Sequence, residues 1–259
     1  MSGVRVHPTA IVDPDAELGV DVEVGPYAIV GPRVSVGDRS VLAPHAVLER
    51  NVRLGAGCRV GSGSILGGDP QDLKFKGEET WVEIGDATVV REYSTVNRGT
   101  AESWKTTVGR KCLVMSYVHL AHDCHIGDEV ILSNCVQLAG HVKIGDGAII
   151  SGLSAVHQFV RIGAYAFIGG MSRVSKDVPP FVKAVGSPLK LFGLNSVGLE
   201  RRAMPRETVH ELKKAYALFF NSDLNVSQAL ERARADLRPL PEIELFVKFV
   251  EESDRGVLV

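Results

Sequence analysis

The chain has 259 residues, 45% of them hydrophobic and 23% charged, with a formal net charge of −2. This composition is ordinary for a folded, soluble protein and shows no mark of disorder, and the charge gives no electrostatic support for bulk nucleic-acid binding. The N-terminal MSGVRVHPTA lacks an apolar signal core, and no apolar run approaches the roughly eighteen residues needed to cross a bilayer, so a cytoplasmic location with no transmembrane segment is expected.

From the N-terminus onward, every sixth residue is Val, Leu or Ile. The series runs without a miss from Val6 to Leu66, resumes at Ile84, Val90 and Val96, and continues from Val108 to Val174, making 26 hexads. Four residues after each aliphatic comes a second small or β-branched position, as at Ala10, Ala16, Val22, Ala28, Val34 and Ser40. A period of six fits neither a helix nor a two-residue strand alternation. It fits a chain that turns a corner every six residues and points one large and one small apolar side chain inward on each flat face, as hexapeptide parallel β-helices do. Three faces make an eighteen-residue coil, so residues eighteen apart stack about 4.8 Å apart along the axis. Glycine often follows the aliphatic, as at Gly19, Gly25, Gly31 and Gly37, and is expected there to allow turn conformations that a Cβ makes costly.

Two polar, turn-rich insertions interrupt the coil, at about 67–81 (GGDPQDLKFKGEETW) and about 99–107 (GTAESWKTT). Loops on a rigid scaffold often carry function. Between His119 and His125 the chain reads HLAHDCH, its densest cluster of titratable groups. Leu120 and Cys124 occupy the inward positions, so His122 and Asp123 should face outward or sit near a corner. Steps of eighteen place Gly140 and Gln158 in one column with His122, and set His141 and His157 one residue from it. A base beside amide donors, a solvated or interfacial histidine strip, and a zinc site of the γ-carbonic-anhydrase kind are the readings this cluster allows. Cys58, Cys112 and Cys124 fall at small inward positions and read as buried hydrophobes rather than ligands. The beat stops at Pro179 and Pro180. From about Pro205 the spacing of Val209, Leu212, Ala215 and Leu218 predicts a helix; Asn225 or Ser227 caps a second, and Pro241 opens a third with Ile243, Phe246 and Phe249.

The stretches GDPQDLKFKGE, EYSTVNRGT, HLAHDCHIG, LAGHV, AVHQF, DVPPFV and FGLNSVGLERR, collinear over nearly the whole chain, resemble the UDP-N-acetylglucosamine acyltransferases of lipid A biosynthesis. The resemblance implies a mainly β fold, a left-handed parallel β-helix over residues 1–190 followed by a C-terminal α-helical domain over 191–259. It also implies a homotrimer with sites between subunits, which moves a (3R)-3-hydroxyacyl chain from acyl carrier protein to the 3-position of UDP-N-acetylglucosamine. No metal or other cofactor is implied, the donor's phosphopantetheine arriving on its carrier. His122 matches the general base, Asp123 its orienting carboxylate, and Gly140 an oxyanion donor. Asp72, Lys74, His119, His141, His157, Gln158 and Asn195 match substrate contacts, and Arg201 and Arg202 a basic pair near phosphates or carrier. Gly170, in IGGMS, matches a position that sets acyl-chain length; it lies forty-eight residues after His122, or about 13 Å along the axis. A corner glycine required for its backbone angles is the other reading of Gly170. Asn97, Pro188 and Val197 depart from residues found in some members, which leaves a 3-amino acceptor, giving an amide, beside the 3-hydroxyl.

Overall fold

A computed structural model describes residues 3–258. The hexads form a three-sided prism. Nearly every hexad contributes a two-residue strand, and the strands stack in parallel into three sheets of eleven, nine and eight strands, here sheets A, B and C in the order the chain visits them. Register follows the eighteen-residue coil: His119 pairs with Gln137 in sheet B, and His125 with Lys143 in sheet C. The aliphatic and the small residue of each hexad both point inward, so one continuous core runs up the axis from Val22 to Val178. Each fully buried Val, Leu or Ile contributes roughly 1.5–3 kcal/mol. With dozens of them in one column, the coil needs no disulfide.

The corners correct one expectation. Most glycines that follow the aliphatics, such as Gly31 and Gly37, do not adopt the left-handed conformation; that falls two residues later, on residues such as Arg33, Arg39, Asp123, His141 and Phe159, with φ between 57° and 64°. The reason for glycine is steric. A Cβ on Gly31 would lie 1.8 Å from the Glu49 carbonyl oxygen of the next coil. The backbones stack too closely there for any side chain, and the ladder hydrogen bonds offset the left-handed corner that costs about 1–2 kcal/mol.

Both insertions leave from the corner between sheets B and C, on successive coils. Flanking strands reach into them: Ile65–Gly68 and Trp81–Ile84 bracket the first, Thr95–Asn97 and Lys105–Val108 the second. At the C-terminal end, Val182–Val185 continues sheet A and folds back antiparallel onto Lys190–Leu194. This hairpin was not legible in the hexad pattern, and its second strand straddles the expected division at 190/191. Four helices follow: α1 (Ser196–Arg201), α2 (Arg206–Phe220), α3 (Val226–Asp236) and α4 (Pro241–Glu251). Asn225, not Ser227, caps α3, through a reciprocal capping box with Gln228. Phe219, Phe220 and Phe246 pack α2 against α4. Among the described residues no helix is long and apolar enough to cross a membrane.

Candidate active site at the corner between sheets B and C

One corner collects the chemistry. Above the two insertions, the next turn at this corner carries His122 and Asp123, the one after it Gly140 and His141, and the third His157, Gln158 and Phe159. Asp123 sits at the corner, one of the two placements expected, but it does not face solvent. It is 1% exposed, because the second insertion folds over it. Its Oδ1 accepts hydrogen bonds from the Thr100 N–H (2.9 Å) and the Ser103 hydroxyl, and its Oδ2 from the Thr100 hydroxyl (2.8 Å) and His122 Nδ1 (2.8 Å). Burial alone would raise the Asp123 pKa, but bonds from His122, Ser103 and Thr100 outweigh it and hold the carboxyl well below the usual range. An ionised carboxylate only accepts, so His122 must carry a proton on Nδ1, and in the neutral ring the lone pair is on Nε2.

That ring lies flat against Gly140. A Cβ on Gly140 would stand 2.6 Å from His122 Cε1 and 2.8 Å from Nε2, which confirms the stacked column and explains the glycine. The Gly140 N–H donates to no acceptor among the described residues. His141 meets His122 edge to face at 5.1 Å between ring centroids and stacks on Phe159 at 4.4 Å. Its Nε2 sits 3.7 Å from Asp123 Oδ2 and 3.6 Å from Glu102 Oε2, too far for a hydrogen bond to either. A cleft of about 440 Å³ opens beside this group, floored by His125, Lys143 and Phe159. His119, on the sheet B side, bonds Thr95 Oγ1 through Nδ1 at 2.7 Å; burial, and then the charge of His122, lower its pKa.

The remaining expected residues are dispersed within this chain. His157 and Gln158 are exposed, His157 Nδ1 lying 3.2 Å from the Gln158 carbonyl oxygen. Asp72 and Lys74 stand out on the first insertion, tied by a turn bond of 2.9 Å, two coils from His122. Asn195 spends its side chain on the fold, accepting from Gly198 N–H to cap α1 and donating to the Tyr165 carbonyl at 3.0 Å. Arg202 belongs to a different corner, between sheets C and A, where it lies over Tyr165 and pairs with Glu129 at 3.1 Å. Arg201 beside it is exposed. Gly170 lies at the third corner, between sheets A and B, so no single groove on one chain joins it to His122. Its φ is ordinary and an added Cβ would meet the Gly152 carbonyl oxygen at 3.3 Å and Ser151 Cβ at 3.9 Å, which removes the backbone-angle reading.

Thr100, Ser103 and Phe159 were missed from sequence. Phe159 follows His141 by eighteen, so column arithmetic contained it; nothing in a linear sequence shows a loop hydroxyl reaching a carboxylate twenty residues on. Burial raises the pKa of all three inward cysteines, Cys112 to about 11 and Cys124 to about 12, which disfavours their thiolates.

Residues 105–140 match the bacterial transferase hexapeptide family, and residues 177–258 match the second domain of UDP-N-acetylglucosamine O-acyltransferase. The chain is 55% identical over 194 residues to the acyl-[acyl-carrier-protein]–UDP-N-acetylglucosamine O-acyltransferase of Chlorobium phaeobacteroides, covering 74% of each chain. Among solved structures, the UDP-N-acetylglucosamine acyltransferase of Bacteroides fragilis superposes with a TM-score of 0.96 at 40% identity, covering 98% of this chain and 100% of that one. The Acinetobacter baumannii structure also gives 0.96, at 41% identity, covering 98% and 99%. Likeness at this level makes the fold the expected left-handed parallel β-helix with a C-terminal helical domain.

Proposed function

Because the chain belongs to the acyl-[acyl-carrier-protein]–UDP-N-acetylglucosamine O-acyltransferase family and is an enzyme of that class, we propose that it moves a (3R)-3-hydroxyacyl chain from acyl carrier protein to the 3-hydroxyl of UDP-N-acetylglucosamine, opening lipid A synthesis in the cytoplasm, with His122 as general base. The observation that carries the reading is the His122–Asp123 pair, with Nδ1 held by the carboxylate at 2.8 Å and Nε2 bare beside Gly140. Nε2 takes the proton of the sugar hydroxyl as its oxygen attacks the thioester carbonyl. The free Gly140 N–H stabilises the oxyanion. Collapse breaks the carbon–sulfur bond, and the proton on Nε2 passes to the departing thiolate. The relatives' naming as O-acyltransferases favours the ester over the amide product.

The active form is a trimer. About half of the outward residues of sheets A and B are aliphatic, among them Val41, Leu113, Ile131, Ile29 and Val47, whereas those of sheet C are mostly charged or polar. Their shared corner carries exposed Tyr93, Tyr117, Leu153 and Met171. Packing three such corners about one axis sets sheet A of one copy against sheet B of the next. That brings the His122 corner against the corner bearing Arg202 in a neighbouring copy, and turns Gly170 toward the groove between them. His157, Gln158, Asp72 and Lys74 then border the acceptor, and Arg201 and Arg202 its phosphates or the carrier.

His122, Asp123 and His141 bring potential ligand atoms within 4.8 Å of one another. Each Asp123 oxygen already accepts two hydrogen bonds, however, so the donor set suits a hydrogen-bonded dyad better than a zinc cage, and we assign no metal. His122→Ala should keep the trimer, with a Tm lowered by no more than about 10 °C for the lost bond to Asp123, yet lose turnover by about 10²–10⁴-fold. Near-normal turnover would sink the mechanism. Stoichiometric zinc in elemental analysis, with activity lost to chelators, would favour the carbonic-anhydrase-like chemistry instead.

A further inference from the structure

We propose that Thr100 and Ser103, on the second insertion, are positioning residues for the acyl transfer: together they fix the Asp123 carboxylate, and through it the His122 ring. The inference rests on the reading of His122 and Asp123 as base and orienting carboxylate. Three of the four donors on Asp123 come from this one loop: the Thr100 N–H (2.9 Å), the Thr100 hydroxyl (2.8 Å) and the Ser103 hydroxyl. The Ser103 oxygen also lies 3.0 Å from the Lys105 carbonyl. A hydroxyl has one proton, and the charged acceptor makes the stronger bond. With both lobes of Oδ1 and one of Oδ2 occupied, the remaining lone pair of Oδ2 has one direction open, toward His122 Nδ1.

The loop itself is anchored. Arg98, whose side chain is 4% exposed, donates to the carbonyls of Gly67, Glu78 and Thr80 and pairs with Asp69, binding the second insertion to the first. The Asp123 backbone N–H donates to Thr106 Oγ1 at 2.9 Å, closing the far side of the loop. Its residues 98–106 thus join the loop that presents Asp72 and Lys74 to the carboxylate behind the base. A loop serving only to cover the coil would not converge three donors on one ionised group.

The test uses the full chain with Thr100→Val, which keeps shape and the N–H but removes the hydroxyl, with Ser103→Ala, and with the double variant. The expected result is a fall in kcat of about tenfold for each single variant, with KM for donor and acceptor changed less than twofold, and recovery in Thr100→Ser. In an Asp123→Ala background, Thr100→Val should add nothing, because its effect passes through the carboxylate. A second readout needs no turnover: the downfield proton of His122 Nδ1, assigned in NMR spectra by its absence in His122→Ala, should weaken through faster exchange in the double variant. A folded double variant with that resonance unchanged would overturn the proposal. So would a Thr100→Val loss that persists at full size without Asp123, or one that falls on KM alone. If the unmodified protein shows no thioester turnover while the resonance responds as expected, the acyltransfer reading fails and the clamp stands.

Discussion

Replacing Gly140 by alanine tests the geometry of the base more finely than removing the base. The new Cβ would stand 2.6 Å from His122 Cε1 and 2.8 Å from Nε2, whereas ordinary contact begins near 3.4 Å, so the ring must retreat by about 0.6–0.8 Å. It cannot do so freely, because Nδ1 is bonded to Asp123 at 2.8 Å. The backbone is no obstacle: Gly140 is not among the residues with positive φ, and the alanine keeps the N–H assigned to the oxyanion. The substitution therefore moves the base and little else. A misplacement approaching 1 Å can cost on the order of 10²-fold in rate, so kcat for transfer from acyl carrier protein should fall by about that factor with KM nearly unchanged. Weakening one charge-assisted hydrogen bond costs about 1.5–3 kcal/mol, a Tm loss of no more than about 10 °C for a chain of this size. The measurements are steady-state turnover and thermal melting of Gly140→Ala, His122→Ala and the double variant. A folded Gly140→Ala protein with kcat within threefold of the parent refutes the stacking argument, as does a double variant much slower than His122→Ala.

Gly170→Met should fold, since an added Cβ meets only the Gly152 carbonyl oxygen closely, at 3.3 Å, and should shift donor preference to shorter 3-hydroxyacyl chains. At about 0.8 kcal/mol per buried methylene, each excluded carbon is worth roughly fourfold in relative kcat/KM; an active variant with unchanged chain preference would end the ruler reading. Asp123→Asn probes linkage: the native Asp123 pKa lies below its ordinary value because hydrogen bonds outweigh the burial that would raise it. The stability it contributes is therefore fully present above the unfolded value of about 3.9 and is lost as pH falls below it toward the native pKa. The Tm gap between wild type and Asp123→Asn should hold constant from pH 8 to about 5 and narrow below about 4; a gap that closes near neutrality would contradict the assignment.

The coil was legible because it is local. An aliphatic every six residues and a small residue four after each dictate what faces inward, and the eighteen-residue sum then places His122, Gly140 and Gln158 in register before any contact is known. The α3 cap and the start of α4 were readable for the same reason, since Asn225 and Pro241 act within one helical turn. What the arithmetic could not supply was depth and company. It left Asp123 outward or near a corner, and nothing in the hexad says that a loop leaving the same corner one coil earlier will fold over the carboxylate and spend two hydroxyls and an N–H on it. It attributed the stacking glycines to φ, because the 1.8 Å clash at Gly31 exists only between adjacent coils. It did not say that Gly170 and Arg202, which the motifs group with the histidines, each stand on a corner of their own in the three-sided prism. Inward against outward is decided by side-chain periodicity, which a sequence carries. Which corner a residue occupies, and which loop covers it, depends on contacts between segments far apart in the chain, and those form only once the coils are stacked.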